Sequence, residues 1–358
     1  MAGTIIITGA NGSIAVHAVQ QLLSKAPDST LILTVRETSD ADPNTGRLQE
    51  TVNQFPKSTV VVRRLDLTSL KNVHKFAETI AAEVIQEKLP PLAAIVCNAF
   101  HWNMIADPEL TEDGSEKTMQ VNHVSHAALI LRLLGSFGPR GGRLVLFTSD
   151  CHYPGRNTLE IYPPGLPVDL DELIRADPDT DKRGRGFQNY ANSKLAILMW
   201  TYALNRYLEM VGITQAIRSC NREAFKLTDF QDDQFSKISA VAIDPGSIAD
   251  SRALRTNTPV TLSYMQRFVL QPLWPILRLL IPSVRPSTDA GADVADIALS
   301  RKHARERGYL NLLMPGPSSE ESLDEVKQQK IWVKTAEWAG ITRENTTLKG
   351  GFQSRRPC

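Results

Sequence analysis

Thr4-Ile5-Ile6-Ile7-Thr8-Gly9-Ala10-Asn11-Gly12-Ser13-Ile14-Ala15 passes from a short apolar run through a turn of small residues into a helical pattern. In that pattern Val16, Val19, Leu22 and Leu23 share one side. A strand that turns through glycine into a helix is the setting in which a main chain binds phosphate. Small residues allow close approach, and the helix N-terminus offers free N–H groups with a partial positive charge. The same pattern also serves as a plain strand-to-helix turn, and the glycines alone do not separate the two.

Outward from this stretch, apolar runs alternate with helical patterns. Thr30 to Val35 ends in Arg36, and Thr59 to Arg64 leads into Leu65-Asp66-Leu67-Thr68. A helix from Leu70 to Glu87 is stopped by Pro90-Pro91, and the strand Ala93 to Cys97 is followed by Asn98-Ala99-Phe100. Further strands are expected at Arg143 to Phe147, Ile238 to Ile243 and Tyr309 to Leu313, with helices at Glu116 to Leu134 and Asp289 to Leu299. The stretch from Glu37 to Lys57 reads as polar connection. The alternation predicts an α/β fold, a doubly wound parallel sheet of Rossmann type in a single domain, with a C-terminal helical extension. Such sheets bind ligands at the carboxyl ends of their strands, where Asp66, Asn98 and the glycine turn all fall. At the end of the second strand an acid would bond a ribose hydroxyl, whereas Arg36 suits a 2′-phosphate; the other reading is a solvated arginine leaving a strand.

Composition narrows the class. The 358 residues carry a formal net charge of +1, with 42% hydrophobic and 22% charged residues, which gives no reason to expect nucleic acid as a partner. Cys97, Cys151, Cys220 and Cys358 lack paired metal-ligand spacing, so no metal is expected. With no basic start or long apolar core of a signal peptide before Ile5, they point to a reducing, cytoplasmic setting.

Tyr190 and Lys194 lie four residues apart in Gln188-Asn189-Tyr190-Ala191-Asn192-Ser193-Lys194-Leu195-Ala196. On a helix from Ala191 to Tyr207 that spacing puts phenol and ammonium on one face. The cation is expected to lower the Tyr190 pKa from its usual value near ~10, making the phenol a usable acid or base. Taken alone, the pair is more often a half-buried ring beside a solvated charge. Asn122, in the run Gln120 to His126, is either a hydrogen-bonded clip or part of a proton path. Ser149 ends the strand at Phe147.

Together Thr8-Gly9 with its small-residue loop, Asp66, Asn98-Ala99, Asn122, Ser149, Tyr190, Lys194 and the turn Asp244-Pro245-Gly246 resemble the short-chain dehydrogenase/reductases over roughly Thr4 to Leu313. The strand end Val35-Arg36, the pair Asn122-His123 and the run Tyr190 to Ala196 are most similar to the retinol-dehydrogenase and protochlorophyllide-reductase branch. The loop Thr8 to Ser13 also resembles fungal secondary-metabolite reductases. The resemblance implies an NADP-dependent ketoreductase using NADPH/NADP+. Tyr190 would exchange a proton with the substrate oxygen, Lys194 would lower its pKa and hold the nicotinamide ribose, Ser149 would bond the carbonyl, and Asn122 would hold a relay water. Gly9, Ser13 and Ile14 would face the pyrophosphate, Arg36 the 2′-phosphate, Asp66 the adenine and Asn98 the adenosine ribose. Thr8, Asn11, Gly12, Leu67, Ala99, Pro245 and Gly246 complete the implied cofactor-binding set.

Three departures stand out. Ser13 and Ala15 replace loop glycines; Phe100 follows Asn98-Ala99 where the family has glycine, as either a site wall or a packing residue; and Ser149 lies unusually far from Tyr190. The intervening Cys151 to Asn189 is expected over or beside the site as a lid. Its run Lys182-Arg183-Gly184-Arg185 reads best as solvated, and Cys151-His152 as a nucleophile lacks an orienting third group.

Residues 1–315 thus form the expected cofactor-binding domain, with substrate-covering insertions at 151–189 and 250–286. Gln215 to Gln234 reads as a further insertion, and residues 316–358 as a C-terminal helix, Glu320 to Ala339, with a mobile tail from Thr342. The apolar stretch Thr261 to Ile281 is interrupted by Pro272, Pro275 and Arg278, too short to span a bilayer; it suits a hydrophobic substrate, a homodimer face or peripheral membrane contact. The expected activity is reduction of a ketone or aldehyde on a fairly large apolar substrate, possible within polyketide- or terpenoid-like secondary metabolism. The alternatives are NAD(P)+-dependent alcohol oxidation, cofactor-assisted isomerisation, and a non-catalytic cofactor sensor.

Overall fold

The computed structural model describes residues 3–39, 41–219 and 235–352. Ten strands are present among them: β1 (Thr4–Ile7), β2 (Thr30–Val35), β3 (Thr59–Arg64), β4 (Leu92–Cys97), β5 (Gly142–Phe147), β6 (Ile238–Asp244), β7 (Ser247–Ile248), β8 (Val284–Arg285), β9 (Gly308–Asn311) and β10 (Met314–Pro315). Eight form one sheet in the order β10-β9-β6-β5-β4-β1-β2-β3, parallel except for the short antiparallel β10; β7 and β8 pair separately. The central strands are buried along their whole length, as their continuous apolar runs require when both faces are covered.

One face is covered by the helices Ser13–Lys25, Pro43–Asn53 and Ser287–Ala298, whose Val19, Leu22, Leu48 and Val294 join Ile5, Ile7, Leu31 and Val96. Gly291 permits the crossing of two of these helices, because a Cβ there would lie 2.6 Å from the Cβ of His17. The other face carries the helices Leu70–Ile85, Ser125–Leu133, Lys182–Ser219 and Glu325–Trp338. Their Val73, Phe76, Leu129, Trp200 and Trp332 pack on Ile6, Ile95 and Leu144.

Several expectations change. The polar connection Glu37 to Lys57 contains the helix Pro43–Asn53, started by Asp42, whose carboxylate accepts from Thr45 N at 3.1 Å, with Pro43 in the first turn. The helix expected from Glu116 to Leu134 is interrupted by a π-helical turn at Gln120–Val124. The Tyr190 helix begins at Lys182 rather than Ala191. Of the insertion expected at Gln215 to Gln234, residues 220–234 lie outside the described residues, as do Cys220 and Cys358.

The mobile tail is corrected where it is described. Leu348 is fully buried, the Thr346 hydroxyl donates to Leu131 O at 2.7 Å, and Trp332 Nε1 donates to Gly351 O at 2.9 Å. The apolar face left open by Trp332 and Leu134 is what holds it. Residues 151–189 likewise pack partly downward, with Leu170 and Leu173 in the larger core and Asp171 accepting from Lys334 Nζ and Trp338 Nε1 at 2.9 and 2.8 Å. Leu348→Ala is expected to cost about 2–5 kcal/mol of stability, read by denaturant unfolding. An unchanged midpoint would mean that the tail carries no packing energy.

Candidate active site

The carboxyl ends of β1, β2, β4, β5 and β6 form one rim, and the sequence-predicted residues collect there. At β1 the chain turns through Gly9 at φ +59°, a conformation open to glycine, and a Cβ there would lie 2.9 Å from Ala99 Cα. Asn98 Nδ2 donates to Gly9 O at 2.9 Å and Thr8 O at 3.2 Å, bracing the loop from β4. Thr8 is itself buried; its Oγ1 accepts from Ala99 N at 3.1 Å and lies 2.9 Å from His126 Nε2. Thr8, Asn98 and Ala99 therefore shape the loop. The helix that follows has Gly12 at its N-cap and no side-chain cap, leaving its first-turn N–H groups for a ligand.

Asn11 is fixed by Nδ2 bonds of 3.1 Å to Asp42 Oδ2 and Thr45 Oγ1. Its carbonyl accepts from the guanidinium of Arg252, while Ser13 Oγ accepts from Arg252 N at 3.2 Å. Arg252 was not among the residues singled out by sequence. It sits seven residues beyond Pro245, and a basic residue just past the Pro-Gly turn was the available signal. Arg36 is exposed at the end of β2. Asp66 is partly buried, its Oδ1 accepting from Thr68 N and Oγ1 at 3.0 and 2.7 Å. Leu67 is buried, its carbonyl taking the Ser125 hydroxyl at 2.6 Å. Gly246 has φ +84° and donates its N–H to Asp244 Oδ1 at 2.9 Å, which turns Pro245-Gly246 away from β6.

At the centre of the rim stands the Tyr190 helix. Lys194 is buried, its Nζ donating to Phe147 O at the end of β5 at 3.0 Å, and Thr148 Oγ1 donating to the Lys194 carbonyl at 2.9 Å. Ser149, just beyond β5, donates its hydroxyl to Asp150 Oδ1 at 3.0 Å and stands close enough to the Tyr190 hydroxyl to favour its phenolate, so the long intervening segment does bring the two side chains near each other. Lys194 Nζ lies 5.4 Å from the Tyr190 ring. Around the phenol stand Trp102, Phe100 and Phe187, with ring centroids at 5.3, 6.3 and 6.3 Å.

Asn122, on the π-helical turn, spends its whole side chain as a clip. Oδ1 accepts from His101 N at 2.7 Å, and Nδ2 donates to His101 O and Ser193 Oγ, both at 2.9 Å. It ties the loop after β4 to the Tyr190 helix, and its main-chain carbonyl lies 3.3 Å from His126 Nδ1. His123 points elsewhere, 2.6 Å from Thr335 Oγ1 of the C-terminal helix.

The electrostatics reverse one expectation. Burial raises the Tyr190 pKa well above its usual value; Cys151, Asp150 and Asp244 raise it further, and nearby Ser149 opposes them. Desolvation of the phenolate outweighs the nearby ammonium. Burial lowers Lys194 to about 8, against the pull of Cys151 and Asp244. Burial also pushes the Cys151 thiol up, and His152 Nδ1 is engaged 2.5 Å from Ser149 O, so the Cys-His nucleophile reading is dropped.

The same burial, reinforced by Asp150, lifts Asp244 from 3.8 to about 6. A carboxyl whose folded pKa exceeds its unfolded one favours folding while protonated, so its contribution falls as pH rises from 3.8 to about 6. Asp244→Asn is therefore expected to gain stability relative to the parent across that window, by up to roughly 3 kcal/mol, seen as a pH-dependent difference in melting temperature. A difference that does not vary with pH would remove this assignment.

A doubly wound sheet with a glycine turn after its first strand, and a serine, tyrosine and lysine gathered at the ends of the central strands, defines a class of α/β oxidoreductases. The model of the short chain dehydrogenase family matches residues 3–163, and that of the AcuH dehydrogenase domain matches residues 252–348. The short-chain dehydrogenase iccH of Talaromyces variabilis is 25% identical over 97% of this chain and 98% of its own length. The dehydrogenase acuH of Aspergillus aculeatus is 45% identical over 26% of this chain and 94% of its own. Human retinol dehydrogenase 13 is 29% identical over 59% of this chain and 56% of its own. Among solved structures, an NADPH-bound carbonyl reductase from chicken fatty liver shares the fold at 16% identity, covering 87% of this chain and 96% of its own with a TM-score of 0.52. Over residues 3–163 the chain matches the short chain dehydrogenase family, and it resembles retinol-dehydrogenase-like members and fungal enzymes of that family.

Proposed function

We propose that this protein is an NADPH-dependent reductase acting on a ketone or aldehyde of a fairly large apolar substrate, an intermediate of secondary metabolism. The observation that carries this reading is a phenol that burial holds protonated, close to Ser149 and enclosed by Phe100, Trp102 and Phe187. A protonated donor suits reduction, and the aromatic wall suits an apolar partner.

The rim fits a dinucleotide by its donor chemistry. The uncapped helix start at Gly12 and the Arg252 guanidinium face the same loop, where a pyrophosphate would be held. Arg36 would take the 2′-phosphate and Asp66 the adenine edge, in a domain spanning residues 1–315 whose 151–189 and 250–286 segments shape the substrate space. When bound, the nicotinamide supplies the hydride. Ser149 then orients the substrate oxygen by hydrogen bonding, and Tyr190 delivers the proton as negative charge develops there. Lys194, charged below its pKa of about 8, favours the phenolate that remains. The reductive rate is thus expected to fall as pH rises through about 8, where the ammonium is lost.

NADPH consumption against a panel of apolar ketones and aldehydes tests the reading. Tyr190→Phe should lose roughly 10²–10⁴-fold in turnover while still binding the cofactor. Turnover within a few-fold of the parent would sink the acid assignment. In binding calorimetry, Arg36→Ala should weaken NADP by about 1.5–3 kcal/mol and leave NAD nearly unchanged, whereas Arg252→Ala should weaken both alike. Equal losses for the two arginines would refute the 2′-phosphate contact.

A further inference from the structure

Residues 251–288 contain five arginines and neither a lysine nor a single carboxylate. The centre of this stretch forms two helices, Val260–Met265 and Gln271–Leu280, joined by a π-helical turn at Gln266–Leu270. One side is seated on the protein. Leu262 packs with Trp102 and Phe187 beside Tyr190, and buried Gln266 donates its Nε2 to Ala249 O at 2.6 Å. The other side carries large apolar groups into solvent. Leu279 is 82% exposed, Leu280 78%, Phe268 62%, Ile276 61% and Tyr264 60%, and the helix Gln271–Leu280 has no buried residue. Isolated exposed apolar residues are ordinary, but a contiguous group of this kind on one face marks an interaction surface.

The charges choose the occupant. Arg252 and Arg285 turn inward, to the glycine loop and to Asp293 respectively, while Arg255, Arg267 and Arg278 are exposed around the apolar group. Arg278 shares a 3.2 Å pair with Asp289 just outside the stretch. A second copy docking by the same face would bring arginines against arginines, with no carboxylate in the stretch to receive them. The pair of helices is also too short to cross a bilayer, and no helix among the described residues is long and apolar enough to do so. Apolar groups ringed by cations, with Tyr264 and Trp274 among them, are what the surface of an anionic bilayer accepts.

We infer that the face formed by residues 260–281 docks onto an anionic lipid surface, with Phe268, Ile276, Leu279 and Leu280 entering the acyl boundary and Arg267 and Arg278 meeting headgroups. Because Leu262 of the same unit borders Tyr190, the docked face lies next to the candidate active site.

Flotation of the full chain with phosphatidylcholine vesicles, with and without phosphatidylserine, tests this without reference to activity. Flotation is expected with the phosphatidylserine vesicles, falling as salt is raised. Leu279→Asp/Leu280→Asp should abolish it, and Arg267→Gln/Arg278→Gln should weaken it by roughly tenfold or more. Both variants alter exposed positions, and an unchanged melting temperature confirms that they fold. Failure of the parent to float, equal binding to both vesicle types, or undiminished flotation of the Leu279→Asp/Leu280→Asp variant would each overturn the proposal. A parent that stays off vesicles but runs as a dimer dissociated by the same variant would assign the face to a second copy instead.

Discussion

Holding an ammonium inside the protein at the end of β5 is the constraint on which the site depends. Stripping Lys194 of water costs several kcal/mol even after relaxation, and what offsets it here is one bond to Phe147 O together with the pull of Cys151 and Asp244. The protein accommodates this by lowering the lysine's proton affinity rather than by giving it a close carboxylate. Everything nearby then has to be fixed, because small movements would rehydrate the charge. Thr148 locks the lysine's carbonyl, Asn122 clips the neighbouring turn of the helix to the loop after β4, and Asn98 fixes that loop to the glycine turn. The rim is rigid from β1 to β5 through side chains that need not touch a ligand.

That division of labour explains what could be read in advance. The seven parallel strands of the main sheet were legible to within about two residues, since a strand buried on both faces is apolar throughout, whereas the two-residue strands β7, β8 and β10 were not. The gathering of Ser149, Tyr190 and Lys194 was legible from their order along the chain. The helix Pro43–Asn53 was not, because only Leu48 of its larger apolar side chains joins the core and its start signal, Asp42-Pro43, stands in a polar stretch. The π-helical turn leaves no periodic trace. The direction of the Tyr190 shift was missed for a different reason: spacing reveals the lysine, whereas the depth at which the phenol lies is a tertiary property. Arg252 belongs to the same category, a residue whose meaning comes from where β6 delivers it.

The two stretches beyond the parallel core differ in how they are held. Residues 151–189 are drawn down by Leu170, Leu173 and Asp171 onto the C-terminal helix, so their position is set far from the site they border. Residues 251–281 are held near the site itself, by Leu262, Gln266 and the Arg252 contacts, and spread outward from it. Substitutions in the C-terminal helix can therefore reach residues 151–189 by way of packing.

The bond from Thr346 to Leu131 joins residues 215 apart in sequence, and the contact between His123 and Thr335 spans 212. The helices they cover are among the earlier parts of the chain to be synthesised. During translation, then, the side of the chain around His123 and Leu131 that meets the C-terminal segment stands uncovered until more than two hundred further residues have emerged. Such a long wait favours slow closure and exposes the nascent chain to association with its neighbours. The demand this fold makes on the cell's chaperones is thus set by the distance between the first layer of its larger core and the segment that seals it.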